Sequence, residues 1–389
     1  MQQVEGRERT ADKLPTFAAI EDWWYPVRLS CEQCSSEAAA RYKAELVVSP
    51  VRASLVVGSR MVDLTGGYGV DTYFLSERFA HTDYVEQNAE LCRIAEHNKG
   101  LWVTGYGLRD TGYGLRDTGY GLRDISIHNS TAEEFLKTAG EYDLIFLDPA
   151  RRDSHGGKVF RLEDCTPNVV ELLPTLLRHG KQIMLKLSPM LDLTQAINKL
   201  QSDKGTKDQV TKWDVHVVAI KNEVKEVLVV SPVRASLEDR PQTITCIDLV
   251  EPEKAFVFTK EQETNCPLAI NPSPFAFIYE PNAAILKAGA YKLVGARYGL
   301  QKLDVNTHLY TSERLVTDFP GRKWKIEQVV RDRKDLPAEL KQANVLTRNY
   351  PMTPEQLKKK LHLRDGGTAY LIGARIQGKP TIIRATLIP

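Results

Sequence analysis

The chain has 389 residues, 42% of them hydrophobic and 26% charged, a globular balance with material for two or three domains. No apolar run approaches the roughly 18 residues of a membrane span, and the opening MQQVEGRERTADKLP lacks the apolar stretch of a signal peptide, so a cytoplasmic protein without membrane partners is expected. The net charge of +2 hides an asymmetry: residues 321–389 hold 15 Lys/Arg against 6 Asp/Glu, a basic tail on an acidic body that suggests a polyanionic partner.

In chain order, RLSCEQCSSEAAARYKAELV reads as a helix, with Ser30 and Gln33 as a capping-box pair ahead of an Ala-rich run. RMVDLTGGYGVDTYFLSERF reads as a short strand, a glycine-rich turn and a helix. TDYVEQNAELCRIAEHN repeats that order, its strand ending at Glu86. ISIHNSTAEEFL, YDLIFLDPARRD and QIMLKLSPMLDL are three further strand-then-loop units, with CTPNVVELLPTLLRHG as the crossover helix between the last two. Strands alternating with helices predict a mostly parallel, doubly wound sheet. WDVHVVAIKNEVKEVLVV then reads as a hairpin closing that sheet, with its turn near Asn222.

Beyond about residue 240 the alternation stops. TITCIDLVEPEKAFVFT is β-rich, EPNAAILKAGAYKLVGARYGL contains a helix and WKIEQVV is a strand. Thr353-Pro354-Glu355-Gln356 is an N-cap with Pro at the first helical position and Gln three residues after the cap. That helix carries Lys358, Lys359 and Lys360, candidate contacts to a polyanion. AYLIGARIQGKPTIIRATLI reads as a closing hairpin.

Two repeats interrupt this plan. TGYGLRD is written three times over residues 104–124, and LVVSPVRASL occurs at 46–55 and again at 228–237. The heptad has two glycines per unit and lacks the two apolar seams of a coiled coil. At 21 residues it is also short for a solenoid. In a doubly wound sheet the helix-to-strand connections lie at the amino edge, whereas ligands bind at the carboxyl edge. All three words are therefore expected at the back of the domain, as inserted passengers.

The chemistry concentrates in a few stretches. DLTGGYGVD supplies Asp63 at a strand end and Gly66, Gly67 and Gly69 in the turn, where the main chain is open to close approach. Glu86 ends the next strand, 23 residues after Asp63, placed to accept hydrogen bonds from ribose hydroxyls. The spacing is D-x-x-x-G-x-G, and Thr72 stands where a dinucleotide site would want its third glycine. That favours a nucleoside without a pyrophosphate, S-adenosylmethionine. Six scattered cysteines contain one CxxC, Cys31 and Cys34, without the second pair a zinc site wants, so no metal is expected.

DLTGGYGVDT, YVEQN and YDLIFLDPARRD resemble motifs I, II and IV of class I S-adenosylmethionine-dependent methyltransferases, over roughly residues 30–235. DLTGGYGVD is similar to the D-x-T-A-G-x-G-x-D of bacterial ribosomal RNA guanine-N2 methyltransferases, with Gly66 replacing Ala. EQCSSEAAARYKA, EDCTPN, YEPNAAILKAG and NYPMTPEQLKKKL extend the resemblance to bacterial methyltransferases with ferredoxin-like and THUMP-like domains at the C-terminus. It implies an α/β fold, a doubly wound Rossmann-like sheet with a helical N-terminal segment and small α+β C-terminal domains. The expected partition is residues 1–45, 46–240, 241–320 and 321–389.

The resemblance also implies roles. The backbone at Gly67 and Gly69 would cradle the methionine moiety, with Thr65 and Asp71 near its polar ends. Glu86 would bind the ribose, and NSTAEE would lie beside adenine, with Thr131 where many relatives have Asp. Asp148-Pro149-Ala150-Arg151 holds the position of the D-P-P-Y-type motif of amino-methylating enzymes. Arg151 and Arg152 would stack on a base or hold phosphate, and Lys186, facing the site, is expected as a further substrate contact. Cytosine-C5 transfer needs a cysteine nucleophile. Cys165 lies 17 residues after Asp148, in a setting unlike those enzymes, so a packed thiol is expected there. The resemblance implies methylation of a base nitrogen in transfer or ribosomal RNA. A transferase acting on protein or a small molecule, and an RNA-binding protein with a non-catalytic cofactor site, are the alternatives.

Overall fold

A computed structural model describes residues 2–47, 58–103, 124–151, 161–201, 212–233, 241–270 and 276–389. The triple heptad up to Arg123, residues 48–55 of the first LVVSPVRASL copy and 234–237 of the second, Arg152 and the side chain of Arg151 lie outside the described residues. The chain forms two compact units, Met1–Val215 with Glu226–Pro241, and His216–Lys225 with Gln242–Pro389.

The first unit opens with helices α1 (Gln2–Thr10), α2 (Pro15–Ala18), α3 (Arg28–Gln33) and α4 (Glu37–Leu46). The single helix expected from RLSCEQCSSEAAARYKAELV is thus two. Ser30 and Gln33 do not form a capping box: α3 begins after Val27 with no side-chain cap. The chain turns extended at Cys34, and Ser36 caps α4 by accepting from Ala39 N. Serine side chains compete with helical backbone bonding, and the Cys-Ser-Ser stretch ends one helix and starts the next.

The sheet strands of this unit are β1 (Arg60–Asp63), β2 (His81–Glu86), β3 (Asp124–Asn129) and β4 (Tyr142–Leu147). The short strands β5 (Ala150–Arg151) and β6 (Cys165–Thr166) pair with each other. Then come β7 (Gly180–Leu187), β8 (Asp214–Ile220) and β9 (Glu223–Val230), the stretch His216–Lys225 counting with the second unit. Between them lie α5 (Val70–Leu75), α6 (Ala89–Val103), α7 (Ala132–Leu136), α8 (Val169–His179) and α9 (Leu193–Gln201). The large sheet has nine strands, among them the run β3-β2-β1-β4-β7-β9. The first four pairings of that run are parallel, and β9 is antiparallel to β7. Met61, Val62, Leu144, Ile145, Ile183 and Leu185 are buried, as strands covered on both faces require. The order reverses between β1 and β4. Such a switch point opens a crevice at the strands' carboxyl ends, and Asp63 and Asp148 stand there.

The β8–β9 turn falls at Lys221 and Asn222, both left-handed with φ of 52° and 61°, the geometry of a two-residue hairpin. The second LVVSPVRASL copy corrects an expectation. Its Leu228, Val229 and Val230 are buried in β9 and pair with Lys186, Leu185 and Met184. Ser231 exchanges bonds with Ile183 at 2.8 and 2.9 Å. An apolar run on an interior strand is core, so Leu228, Val229 and Val230 are sheet, with Ser231 bonded at its end, and not an inserted passenger.

The second unit contains β10 (Ile244–Asp248), β11 (Phe256–Phe258) and α10 (Lys260–Asn265), then β12 (Phe277–Pro281), α11 (Ala283–Ala288) and α12 (Leu293–Arg297). There follow β13 (Gln301–Asp304), β14 (Thr307–Ser312), β15 (Gly321–Val330), β16 (Asn344–Arg348), α13 (Pro354–Lys360), β17 (Ala369–Ile376) and β18 (Lys379–Ile388). A seven-stranded sheet, β13-β14-β12-β15-β18-β17-β16, runs through both regions expected as separate small domains. Thr353 and Gln356 form the capping box of α13. Leu357 on that helix packs with Val345, Leu371 and Ile382 in one core cluster, while Trp324 centres another.

Candidate active site

The glycine turn is built around Asp63. Its side chain is buried, its Oδ1 accepts from Thr65 N at 3.0 Å, and its Oδ2 accepts from the Thr72 hydroxyl at 2.6 Å. Burial pushes the Asp63 carboxyl up to about 7, against the lowering effect of those two bonds. Asp63 therefore shapes the turn from below, and Thr72, at the position of the absent third glycine, clamps it.

The three glycines differ in purpose. A Cβ on Gly66 would stand 2.2 Å from the Tyr84 ring, so this position must be bare for Tyr84 to pack beneath the turn. The Tyr84 hydroxyl donates to Gly67 O at 2.6 Å. Gly67 and Gly69 have φ of +56° and +82°, which side chains rarely adopt. A Cβ on Gly67 would meet only Thr65 O, at 3.6 Å, so this glycine borders open space where a ligand can approach the main chain. Gly69 is closed by Trp102, 3.1 Å from its would-be Cβ.

Glu86 is partly buried at the end of β2. It accepts from Gly67 N at 2.9 Å and from Asn88 N at 2.8 Å, one bond to each oxygen. Each oxygen retains a lone pair, so the carboxylate is oriented toward the turn and still able to accept from a diol.

Across the crevice, Asp148 and Pro149 follow β4. The Asp148 N–H donates to the Thr65 hydroxyl at 2.7 Å, which ties this shelf to the glycine turn. Pro149 is buried, and the chain leaves it through the β5–β6 pair, Ala150 opposite Thr166.

Behind the shelf lies a row of alternating charges. Asp148 Oδ2 is 2.5 Å from Lys186 Nζ, and Lys186 Nζ is 3.5 Å from Asp71 Oδ2. Asp71 Oδ1 is 3.2 Å from Lys43 Nζ, in ion-pair rather than hydrogen-bond alignment, and Lys43 is 2.5 Å from Glu226 Oε1. Ser35 donates to Asp71 Oδ2 at 2.8 Å. Burial works against the Lys186 charge, but Asp148 and Asp71 outweigh it and hold the ammonium above its ordinary range. Burial likewise opposes the Asp71 charge, and Lys43 and Lys186 outweigh it to lower the carboxyl. At Glu226 burial dominates and raises the carboxyl despite Lys43.

Asp63, Thr65, Gly66, Gly67, Gly69, Asp71, Glu86, Asp148, Pro149 and Lys186 thus gather at the carboxyl ends of β1, β2, β4 and β7. Thr131 accepts from Glu134 N at 3.2 Å as the N-cap of α7, and Ser130 before it donates to Glu86 O. Lys358 pairs with Asp365 at 2.9 Å, while Lys359 and Lys360 are exposed on α13 in the second unit. Cys165 is a buried thiol. Among the described residues no group of three His, Cys, Asp or Glu could hold a metal ion, and no helix is long and apolar enough to cross a membrane.

Sequence reasoning missed the contribution of the N-terminal helices. Lys43 and Ser35 reach Asp71, and the buried Trp23 Nε1 donates to the Tyr68 hydroxyl, inside the glycine turn, at 2.8 Å. The one available signal was a lysine within the Ala-rich apolar face of α4.

Residues 277–320 match a ferredoxin-like domain model, and residues 321–386 match a model described as THUMP domain-like. Two proteins named as uncharacterized S-adenosylmethionine-dependent methyltransferases, from Mycobacterium tuberculosis strains CDC 1551 and H37Rv, are each 24% identical over 238 residues. That match spans 60% of this chain and 60% of each relative's length. The crystal structure of a "putative methyltransferase" from Porphyromonas gingivalis W83 is 32% identical, covers 100% of this chain and 90% of that one, and superposes with a TM-score of 0.80. With that identity over that coverage, the chain belongs to the family of S-adenosylmethionine-dependent methyltransferases that carry a ferredoxin-like and a THUMP-like domain at the C-terminus.

Proposed function

We propose that this chain is a methyltransferase that moves the methyl group of S-adenosylmethionine to an exocyclic nitrogen of a base in transfer or ribosomal RNA. The observation that carries the reading is the Asp148-Pro149 shelf, tied through Thr65 to the glycine turn at the sheet's switch point. S-adenosylmethionine, when bound, supplies a methyl on a sulfonium that is already a good leaving group. The open main chain at Gly67 and the free lone pairs of Glu86 suit a nucleoside with a ribose diol and an amino-acid tail. Gly66, Gly69 and Asp63 shape that pocket, and Thr131 borders its adenine end.

An exocyclic amine is a poor nucleophile because its lone pair is delocalised into the ring. The Asp148 carboxylate and the Pro149 carbonyl accept its two hydrogens, which localises the lone pair on nitrogen. The remaining task is alignment of nitrogen, methyl and sulfur, a matter of position more than of strong base. The proton leaves after transfer, so no further residue is needed to abstract it beforehand.

For the acceptor, the THUMP domain-like match at 321–386 and the basic surplus of 321–389 support RNA. Lys358, Lys359 and Lys360 are assigned to its phosphates, and Arg151 and Arg152 to stacking on the target base or to phosphate. The partition at 1–45, 46–240, 241–320 and 321–389, and a cytoplasmic location, belong to the same reading. The test is mass spectrometry of total RNA nucleosides from cells with and without the gene, together with transfer of labelled methyl by wild type and Asp148→Ala. One methylated nucleoside should disappear with the gene, and Asp148→Ala should abolish transfer while still binding S-adenosylmethionine. An unchanged nucleoside profile and labelling of protein instead would favour the protein-directed reading. Steeply salt-dependent RNA binding with no transfer would favour a non-catalytic one.

A further inference from the structure

We propose that Lys186 is a positioning residue, which fixes the Asp148 carboxylate for transfer and is itself held by the buried series Asp71, Lys43 and Glu226. This rests on the assignment of Asp148 as the acceptor of the amine hydrogens.

The five groups come from five separate elements: Glu226 from β9, Lys43 from α4, Asp71 from α5, Lys186 from β7 and Asp148 from the end of β4. Their signs alternate at every step. Side-chain exposure is 3%, 0%, 10%, 11% and 38% in that order, so the row begins in the core and surfaces only at Asp148. A carboxylate at a crevice mouth would otherwise sample several rotamers. Here the Asp148 residue has two independent ties, its N–H to Thr65 at 2.7 Å and its Oδ2 to Lys186 at 2.5 Å. They leave Oδ1, which has no partner among the described residues, for an incoming amine.

A lysine on a four-carbon stem is a poor anchor unless its own ammonium is fixed, because ordering it costs rotamer entropy. Asp71 supplies that second hold at 3.5 Å. Asp71 in turn cannot swing toward Lys186 alone, since Lys43 and Ser35 share it. Lys43 is locked by Glu226. The same geometry argues against the expected role of Lys186 as a direct substrate contact, because its ammonium is spent on two carboxylates and is nearly covered. Helix α4, which contributes Lys43, and the α3–α4 connection, which contributes Ser35, thereby support the placement of Asp148.

The experiment compares wild type, Lys186→Met, Lys186→Arg, Asp148→Ala and the double variant Asp148→Ala/Lys186→Met. Uptake of S-adenosylmethionine is read by calorimetry, and methyl transfer is read on total RNA from cells lacking the gene. Lys186→Met should bind the nucleoside within about threefold of wild type. Its maximal rate should fall roughly 10- to 100-fold, as a misplaced reacting group costs, with the half-saturating RNA concentration unchanged. Lys186→Arg should recover part of the rate, and in the Asp148→Ala background Lys186→Met should leave S-adenosylmethionine uptake unchanged. If Lys186→Met does not fold, Lys186→Gln takes its place.

A raised half-saturating RNA concentration at full maximal rate would make Lys186 an RNA contact and overturn the positioning role. So would a loss of S-adenosylmethionine uptake in the double variant that neither single variant shows. Wild-type transfer by Asp148→Ala would instead bring down the Asp148 assignment, and this inference with it. Where wild type transfers nothing to RNA, a crystal structure of the Lys186 variant decides: a displaced or multiply oriented Asp148 carboxylate supports the inference, and an unmoved one overturns it.

Discussion

The backbone N–H of Asp148 donates to the Thr65 hydroxyl at 2.7 Å, joining two loops 83 residues apart in sequence. This bond joins the glycine turn to the shelf directly, without running through the buried charges. Thr65→Val keeps the shape and removes the acceptor, leaving the Asp148 N–H unpaired. It should destabilise the protein by about 1–3 kcal/mol and weaken S-adenosylmethionine binding by roughly tenfold. Thr65→Ser should stay near wild type. Urea unfolding and calorimetry read the two effects separately.

Gly66 and Tyr84 form a packed pair in which one residue excludes bulk in the other. Gly66→Ala puts a Cβ 2.2 Å from the Tyr84 ring and should cost about 1–3 kcal/mol of stability by overpacking. In a Tyr84→Val background the added methyl has room, so the same substitution should cost far less. A double-mutant cycle of unfolding free energies measures this coupling, and additive values would refute the clash.

Asp63 gives a pH signature of known sign. Its carboxyl is raised by burial to about 7 in the folded protein, above its ordinary value of 3.8. The folded state therefore holds the proton more tightly than the unfolded chain. That stability is fully present below about pH 4 and is lost as pH rises toward about 7. Asp63→Asn can keep the bond to Thr65 N and, with the Thr72 hydroxyl reversed, the second bond. It should flatten the decline between pH 5 and pH 8, worth on the order of 1.4 kcal/mol per pKa unit. If the proton on Asp63 did not matter, wild type and Asp63→Asn would lose the same unfolding free energy between those two pH values.

Lys43 is fully covered and paired to Glu226 at 2.5 Å. Removing one partner of a buried pair strands the other, so Lys43→Met should cost about 3–5 kcal/mol. Removing both charges with Lys43→Met/Glu226→Leu should return much of that loss, read by thermal unfolding.

The triple heptad gives a test of the passenger reading. Excising residues 104–117 leaves one TGYGLRD copy and keeps Asp124, which bonds His81 Nδ1 at 2.7 Å at the start of β3. S-adenosylmethionine binding should stay within about threefold, or about 0.7 kcal/mol. A folded deletion variant that had lost binding would refute that reading.

Local chemistry was readable where each residue's task is set by its neighbours in sequence. The strand-glycine-helix order at 60–75, the acid ending β2, the Asp-Pro step after β4, the Lys221-Asn222 turn and the Thr353 cap all follow from backbone rules and patterning. The split between α3 and α4 was misread, because Ser30 and Ser36 both satisfy the local cap pattern and only the bonding of Ser35 and Ser36 separates them. The second LVVSPVRASL copy was misread for a related reason: a repeated word carries no mark of whether its strand is interior.

The sequence by itself determined which segments become strands and helices, and which carboxylates and glycines stand at strand ends, since these depend on torsion preferences and apolar periodicity along a few residues. Tertiary structure alone decided that Gly66 is bare because of Tyr84, that Asp63 faces inward, and that Lys43 reaches Asp71 and Glu226. Those relationships pair residues 18 to 183 positions apart. Burial and charge pairing act through space, and a single chain read in order records the partners without recording that they meet.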